Sequence, residues 1–238
     1  MRVILTTFDG HRNLLEANKY TMLQHGGSFL DVTVLGFKRP DFDLGSWRFV
    51  SMGEYKTPNT FSNDIAPFFE DFTDEYFILG NDDTVMTNQF NYQFLDEIMA
   101  TVKDMPNFGR MWLTGGSRGA YGPDQIIKDF GSYQIVEIGQ SAKYRLSLQY
   151  SLWKTSYFKK YLTPDLSPWD WELRDTAKND GYAILMPVGN FVVSIGHIMK
   201  KGRMLPNWNK AIYKDGELTE EETQVCNEIF KKHGYTNN

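Results

Sequence analysis

Cysteine is almost absent from this sequence. Only one of the 238 residues, Cys226, carries a thiol. A single thiol cannot form an internal disulfide bond or a thiolate cluster, which excludes a disulfide-stapled fold and disfavours structural zinc. We therefore expect a protein that works in a reducing compartment, and we assign it to the cytoplasm.

Long apolar runs are also missing. No run approaches the roughly 18 consecutive apolar residues of a membrane-spanning helix. Residues 2–7 are strand-like and lack the basic region, apolar core and small-residue cleavage site of an export signal. With 41% hydrophobic and 23% charged residues, the composition predicts a soluble globular protein without an integral membrane segment.

Basic residues are outnumbered by acidic ones. The chain has 25 Lys and Arg against 30 Asp and Glu, a net charge of −5, which argues against nucleic acid as a partner. Glycine-rich phosphate loops are lacking as well, because neither GxGxxG nor GxxxxGK followed by Ser or Thr occurs. Dinucleotide-fold and P-loop chemistry are therefore disfavoured.

What the chain does contain is an alternation of strand-like and helical segments. Strand-like runs occur at 2–7, 31–36, 47–51, 76–80, 110–114, 133–138 and 182–187. Helical patterns occur near 11–25, 60–71 and 88–103, at about 146–161 as two adjoining pieces, and from Thr219 to about 232. The alternation in the first half predicts an α/β fold, in which right-handed crossovers join parallel strands and ligands bind at the carboxyl ends of the strands.

Two adjacent acids come directly after an apolar strand. Residues 76–79 lead through Asn81 into Asp82 and Asp83, which a buried strand would hold at the carboxyl edge of the sheet. Adjacent carboxylates repel each other unless a cation joins them, and hard oxygen ligands select Mg²⁺ or Mn²⁺ shared with substrate phosphates. The alternative is a solvated Asn-Asp-Asp turn.

The loop after the first strand, residues 6–12, offers groups that suit a nucleotide. Phe8 presents a stacking face, Asp9 can accept a hydrogen bond from a base or ribose, and Thr6 ends the strand beside them. Gly10 permits a turn into the next helix. The alternative is a plain strand-to-helix turn with Asp9 near the helix cap.

Two acids are embedded among aromatic residues at 167–173. Ser167, Pro168 and Asp170 predict a helix start, with a capping serine, a proline at the first position and an acid three residues after the cap. Carboxylates between apolar rings lose hydration and become stronger bases, which suits general-base chemistry. Asp170 and Glu172 project roughly 200° apart on a helix, so they cannot address one atom in the same manner. Alternatively, Asp170 only completes a capping box and the tryptophans fill the core.

A histidine and a basic loop come after a strand-like run near 192–195. The neutral imidazole of His197 can complete a metal shell, and the charges of Lys200, Lys201 and Arg203 can neutralise a diphosphate leaving group. The alternative is that these are ordinary surface residues.

Four segments carry a family resemblance: TTFDGHRNLL, FILGNDD, YRLSLQYSLWKTSYFKKYL and SPWDWELRDTAKNDGYAI. They resemble the glycosyltransferases of the GT-A fold, especially small enzymes of viral and bacterial polysaccharide gene sets, and the resemblance covers most of the chain. NDD is similar to the DxD motif. The last segment is similar to the ED-x-E-L pattern of inverting, family 2-like enzymes, in which Gly-Tyr follows the second acid. Gly181 and Tyr182 follow Asp170 at the matching distance, whereas Trp169 stands where the first acid is expected.

The resemblance implies an α/β, Rossmann-like GT-A fold, with a mixed, mostly parallel central sheet flanked by helices in a single domain over residues 1–238. Residues 1–104 would bind the nucleotide sugar, residues 105–215 would bind the acceptor and catalyse, and residues 216–238 would form a C-terminal packing helix. The implied reaction is metal-dependent transfer of a sugar from a nucleotide-diphosphate sugar, with a UDP-sugar as the default, to a hydroxyl of a glycan or polysaccharide.

Residue chemistry and the resemblance together assign roles. By the resemblance, Asp170 is the general base of an inverting reaction and Glu172 is the second acidic position. Mn²⁺ or Mg²⁺ is expected at Asp83, Asp82 and His197. Donor contacts are expected from Thr6, Phe8, Asp9, Asn81, Asp82, Lys200, Lys201 and Arg203.

Two other functions fit the same frame. A sugar-phosphate nucleotidyltransferase would share the α/β fold, but its expected glycine-rich, arginine-containing amino-terminal loop is missing. A carbohydrate-binding protein without catalysis would use the tryptophans for recognition alone, and the two acidic motifs argue against it.

Overall fold

Runs of buried aliphatic and aromatic residues form the strands of a central sheet. The computed structural model of the protein describes residues 1–212 and 216–235. The strands of this part are β1 (Arg2–Thr6), β2 (Asp31–Gly36), β3 (Arg48–Ser51), β4 (Tyr76–Asn81), β5 (Thr84–Met86), β6 (Phe108–Trp112), β7 (Asp124–Asp129), β8 (Gln134–Ile138), β9 (Ser151–Lys154), β10 (Ala183–Val188), β11 (Ile195–His197), β12 (Met199–Lys200) and β13 (Arg203–Met204). The α-helices are α1 (Leu15–Gln24), α2 (Phe61–Glu70), α3 (Tyr92–Val102), α4 (Thr155–Lys160), α5 (Pro168–Glu172) and α6 (Glu220–Lys232).

Nine strands pair in the order β3-β2-β1-β4-β9-β6-β10-β8-β7. Strands β3, β2, β1 and β4 are parallel, and so are β6 and β10. Strands β9 and β8 run antiparallel to their neighbours. The sheet is therefore mixed and mostly parallel, which confirms the predicted fold class, and the parallel strands direct their carboxyl ends to one edge.

The prediction of two helical pieces at 146–161 is wrong in its first half. Residues Ser151–Lys154 form β9 in the middle of the sheet, between β4 and β6. Leu152 and Trp153 are fully buried and pair with both neighbouring strands, so tertiary packing overrides the local helical pattern. Only the next segment, α4, is helical.

Alternate residues of the strands pack into two apolar layers. In β1, Val3 and Leu5 belong to a cluster with Ile98 of α3, whereas Ile4 belongs to a cluster with Phe69 of α2. Helices thus cover both faces of the parallel strands, as their continuous apolar sequences require. Each fully buried side chain of this kind contributes roughly 1.5–3 kcal/mol relative to an exposed one, which fixes the strand ends that carry the polar loops.

Helix α6 packs on α1 and begins with the predicted capping box. Thr219 Oγ1 accepts a hydrogen bond from the Glu222 N–H at 3.2 Å. Cys226 and Phe230 are buried with Trp208 in a third apolar cluster. Within the described ranges, neither α6 nor any other helix is long and apolar enough to cross a membrane.

Candidate active site

The turn after β4 and the loop after β1 lie side by side at the carboxyl edge of the sheet. β1 and β4 are parallel neighbours, and their register pairs Thr6 with Asn81. Beyond these strand ends the chain turns through Asp82 and Asp83 into β5. The paired acids therefore lie directly beyond a buried strand, beside the loop that carries Phe8.

Asp82 is buried and turns toward the β1 loop. Its Oδ2 accepts a hydrogen bond from Thr7 Oγ1 at 2.6 Å, and its Oδ1 lies 3.9 Å from His11 Nδ1. Burial and the neighbouring charge of Asp83 raise the pKa of Asp82 to about 8, although the Thr7 hydrogen bond opposes this shift. Burial also lowers the pKa of His11 to about 4. Residues 82–83 form a turn, as the alternative interpretation predicted, but only 6% of Asp82 is exposed, so this acid is not solvated.

Asp83 turns the other way, toward His197. Strand β11 pairs antiparallel with β5, which places His197 opposite Thr84, and the Ile198 N–H donates to the Asp83 carbonyl oxygen at 2.7 Å. Burial raises the pKa of Asp83, and the positive charge of His197 counteracts that rise. The histidine predicted from sequence chemistry is therefore next to the second acid.

The pKa of His197 is shifted by burial and by three charged neighbours. Burial lowers the pKa of His197, the charges of Asp83 and Glu172 oppose this shift, and the charge of Lys200 adds to it. Its Nε2 is buried and has no hydrogen-bond partner in the described part of the chain. An unpartnered imidazole nitrogen beside a carboxylate is available to a further ligand.

Next to His197, the segment Met199–Met204 forms a two-stranded basic hairpin. Lys200 pairs with Arg203, and the turn residues Lys201 and Gly202 have φ of 51° and 75°. Two left-handed residues in succession are what a two-residue hairpin turn requires. Lys200, Lys201 and Arg203 are all exposed, and none has an ion-pair partner among residues 1–212 and 216–235. The basic hairpin thus presents three free cations beside the histidine.

The two acids of α5 have different surroundings. Asp170 is exposed and completes the capping box, because its N–H donates to Ser167 Oγ at 3.1 Å and its Oδ2 accepts a hydrogen bond from the Ser167 N–H at 3.3 Å. Glu172 Oε1 instead accepts hydrogen bonds from the Leu148 N–H at 2.7 Å and from Ser147 Oγ at 3.1 Å. Of these two acids, Glu172 alone has a charge that affects the pKa of His197. The structure therefore brings Glu172, rather than Asp170, to the His197 side of the edge.

A buried ion pair holds the turn that binds Glu172. Arg145 Nη2 lies 2.9 Å from Asp180 Oδ1, with the two side chains 1% and 3% exposed. Arg145 also donates to the carbonyl oxygens of Ala177 and Tyr182, each at 2.6 Å. Ser147 and Leu148 lie just after Arg145 in the chain, so the pair anchors both donors to Glu172. Sequence reasoning missed this network, because its members lie far apart in the chain and match no spacing rule.

The residues predicted to contact a nucleotide base are partly engaged within the protein. Phe8 is 39% exposed, and its ring centroid lies 4.1 Å from that of His11 and 6.4 Å from that of Tyr55. Asp9 accepts a hydrogen bond from the Lys38 N–H and pairs with Lys38 Nζ, each at 3.1 Å. Asp9 does not cap the next helical turn, which begins at Arg12 without a side-chain cap. The β1 loop thus offers a half-exposed aromatic face, to which Tyr55 adds a ring that sequence reasoning missed.

The predicted metal trio is not assembled. Within the two described ranges, no three His, Cys, Asp or Glu side chains converge to hold a metal ion. Asp82 and Asp83 diverge, since Asp82 accepts from Thr7 and Asp83 faces His197. The donor set that fits a hard divalent cation is therefore Asp83 with the unpartnered His197 Nε2, together with oxygen atoms of a ligand.

Sequence comparisons find no relative, whereas solved structures match in fold. No protein-family model matches the chain, and no curated protein matches it. The structure of S. aureus TarS 1-349 in complex with UDP-GlcNAc aligns with a TM-score of 0.53 at 11% identity, over 98% of this chain and 72% of that chain. The chain has a GT-A glycosyltransferase fold.

Two further structures also match nearly all of this GT-A chain. The apo-form glycosyltransferase GlyE of Streptococcus pneumoniae TIGR4 aligns at 12% identity and a TM-score of 0.45, over 100% of this chain and 64% of that chain. HddC from Yersinia pseudotuberculosis aligns at 12% identity and a TM-score of 0.48, over 96% and 99%. In a second structure of TarS 1-349, the GT-A chain covers only 57% of that chain. The TarS complex, at 11% identity, establishes the fold alone, and the matches with TM-scores below 0.5 add nothing to that conclusion.

Proposed function

We propose that the protein is a glycosyltransferase that moves a sugar from a nucleotide-diphosphate sugar to a hydroxyl group of a glycan. One observation carries the proposal: the pairing of β11 with β5 places the half-buried His197 beside Asp83, and the charges of both Asp83 and Glu172, from opposite halves of the chain, act on it at the carboxyl edge of the sheet. Open α/β sheets bind ligands at this edge. A donor-side acid and an acceptor-side acid thus flank one point.

The donor would lie between the β1 loop and the basic hairpin. Phe8 and Tyr55 offer ring faces for the nucleobase, and Asp9, Thr6 and Asn81 line the adjoining strand ends. Lys200, Lys201 and Arg203 would neutralise the diphosphate. A UDP-sugar is the first donor to test, because the TarS fragment was solved in complex with UDP-GlcNAc.

A divalent cation, Mn²⁺ or Mg²⁺, fits beside the diphosphate. Asp83 and His197 would hold it, because their oxygen and unpartnered nitrogen form the matching donor set, while Asp82 would remain on Thr7. When bound, such a cation stabilises the charge that develops on a departing phosphate. The burial of the two acids then has a function, since their repulsion strengthens cation binding.

Glu172 is the general base that we favour. Its Oε1 is fixed by Leu148 and Ser147, and its Oε2 accepts no hydrogen bond within the described part of the chain, so it can accept a proton. The acceptor oxygen would give its proton to Glu172 and bond to the anomeric carbon. The bond from that carbon to the diphosphate would break, with its electron pair leaving on phosphate. Attack opposite the leaving group inverts the anomeric centre.

Transfer assays with purified variants test this assignment. We expect UDP-sugar turnover in the presence of Mn²⁺, with Glu172→Gln slower by about 10²–10⁴-fold and Asp83→Ala without metal-dependent turnover. Asp104→Ala is the matched control, because Asp104 is an exposed acid between α3 and β6, at the amino-terminal edge of the sheet.

The same assays separate the alternatives. Loss of transfer in Asp170→Asn together with an active Glu172→Gln would return the base to Asp170. Release of pyrophosphate from a nucleoside triphosphate and a sugar phosphate would identify a nucleotidyltransferase. Glycan binding without turnover of any nucleotide sugar would contradict the enzyme.

A further inference from the structure

One tryptophan of this protein is exposed. Trp169 is 64% exposed, whereas the other five are at most 6% exposed: Trp47, Trp112, Trp153, Trp171 and Trp208. Burying a large ring is among the strongest contributions to folding, so an indole left in water does nothing for the core. A single exposed apolar residue is nevertheless common on protein surfaces, and its meaning depends on its neighbours.

Trp169 shares one helical face with the candidate base. Residues three and four positions apart are neighbours on a helix, so Trp169, Glu172 and Leu173 line the same side of α5. The Leu173 N–H donates to the Trp169 carbonyl oxygen at 3.1 Å, which continues the helical geometry through Leu173. Leu173 is 54% exposed, and we call this set the Trp169 face. Trp171 points to the opposite side and packs on Phe158 in the core.

The Trp169 face combines two chemistries. An indole and a leucine side chain offer an apolar surface. Between them, the carboxylate of Glu172 accepts hydrogen bonds from the described residues through Oε1 only. A ligand that matches both must have an apolar face and a hydroxyl at its rim, which describes a pyranose ring. Asp170 and Glu172 on the same short helix repel anions, so the matching ring is uncharged.

We propose that the Trp169 face is the acceptor subsite, on which a neutral pyranose ring of a saccharide packs with one hydroxyl toward Glu172. The inference rests on the proposed function for the identity of the reaction, but not for the binding itself. It commits the acceptor to a ring-bearing, uncharged saccharide. An acyclic polyol, an anionic acceptor or a protein hydroxyl does not match this surface.

The fluorescence of Trp169 can show whether a saccharide occupies the Trp169 face. Because it is the one exposed tryptophan, acrylamide quenching of the intact protein reads Trp169 almost alone, and Trp169→Phe establishes that the quenched signal is its own. We expect at least one of maltotriose, cellotriose, chitotriose and a galactose disaccharide to lower the quenching constant about twofold. Sorbitol, which lacks a ring, should not lower it. Shielding by none of the saccharides, or equal shielding by sorbitol, overturns the proposal.

Kinetics then test whether the bound ring is the acceptor. With a saccharide that serves as acceptor, Trp169→Ala should raise the acceptor KM about tenfold, which corresponds to about 1.4 kcal/mol, while the donor KM changes less than twofold. Trp169→Phe should recover most of the loss. The control is Phe29→Ala, since Phe29 is 86% exposed and lies between α1 and β2, at the opposite edge of the sheet.

The outcomes distinguish the two proposals. Saccharide shielding without turnover of any nucleotide sugar keeps the subsite and overturns the transferase. Turnover with an acceptor KM that Trp169→Ala leaves unchanged keeps the transferase and overturns the subsite.

Discussion

Asp82 and Asp180 are both buried acids, and their surroundings are opposite. Burial alone would raise the pKa of Asp180, but hydrogen bonds from Tyr161 and the Tyr182 N–H and the charge of Arg145 hold it below its ordinary value. Asp82 is buried beside a second acid, and its pKa rises to about 8. The nearest basic side chain in the described chain is His11, with Nδ1 at 3.9 Å, and the lowered pKa of His11 leaves that imidazole neutral at neutral pH. One acid stabilises the fold, whereas the other is kept at a cost, which is the pattern of a functional site.

Removing the cation that pairs with Asp180 has the largest expected effect on stability. Arg145→Met leaves the carboxylate of Asp180 buried without its cation and should lower the free energy of unfolding by about 3–5 kcal/mol. Urea denaturation at neutral pH measures the loss. Lys178→Met, which removes an exposed ion pair with Asp175, is the control and should have no measurable effect. Similar losses in both variants would contradict the contrast.

Acid should remove the same stabilisation. Because the pKa of Asp180 is lowered in the folded state, its contribution is fully present above the unfolded-state value and is lost as the pH falls through the folded-state value. The stability difference between wild type and Arg145→Met should therefore shrink below about pH 4. A difference that stays constant down to about pH 2.5 would argue that Arg145 acts by packing alone.

Adding a divalent cation that binds at Asp83 and His197 has the next largest expected effect on stability. At a Mn²⁺ concentration about 100 times its dissociation constant, binding to the folded state alone adds about 2.7 kcal/mol and raises Tm. Thermal melts with Mn²⁺ and with EDTA measure this shift. We expect it to vanish in Asp83→Ala and in His197→Ala and to persist in Asp104→Ala. The same shift in Asp83→Ala would place the cation elsewhere.

Removing the buried charge of Asp82 should change how the stability of the protein depends on pH. Since the pKa of Asp82 rises from 3.8 to about 8 on folding, its ionised form opposes folding, and stability should fall as the pH rises through this window. Asp82→Asn keeps an acceptor for Thr7 and should stabilise the metal-free protein much more at about pH 9 than at about pH 5. Denaturation in EDTA at the two pH values measures it. A variant less stable than wild type at the higher pH would mean that the hydrogen bond outweighs the charge.

The part of the candidate site that follows β4 was largely predictable from the sequence. FILGNDD carries its own local signals, an apolar strand with acids directly after it, and a buried parallel strand must leave those acids at the carboxyl edge of the sheet. The proximity of Asp83 and His197 was expected from the chemistry of the two side chains alone. The pairing of β11 with β5 brings the two residues together, and no local sequence pattern predicts that pairing.

The part of the candidate site around Glu172 was less predictable, because residues far away in the chain position it. Asp170 and Glu172 lie two positions apart in one motif, and which of them faces the edge depends on the turn that contains Ser147 and Leu148. The ion pair between Arg145 and Asp180 holds this turn in place. The same reason explains β9, since a short apolar run fits a buried helix as well as a strand until its neighbours are known.

The antiparallel strand β9 makes the assembly of the sheet depend on the order of synthesis. Strand β4 ends at Asn81, but its partner β9 begins only at Ser151. A ribosome that adds about 5–20 residues per second takes roughly 4–14 s over this stretch, during which β4 presents unpaired backbone groups. A fragment that stops near residue 104 lacks β9, so its β4 edge stays open and exposes backbone groups that can pair with another chain.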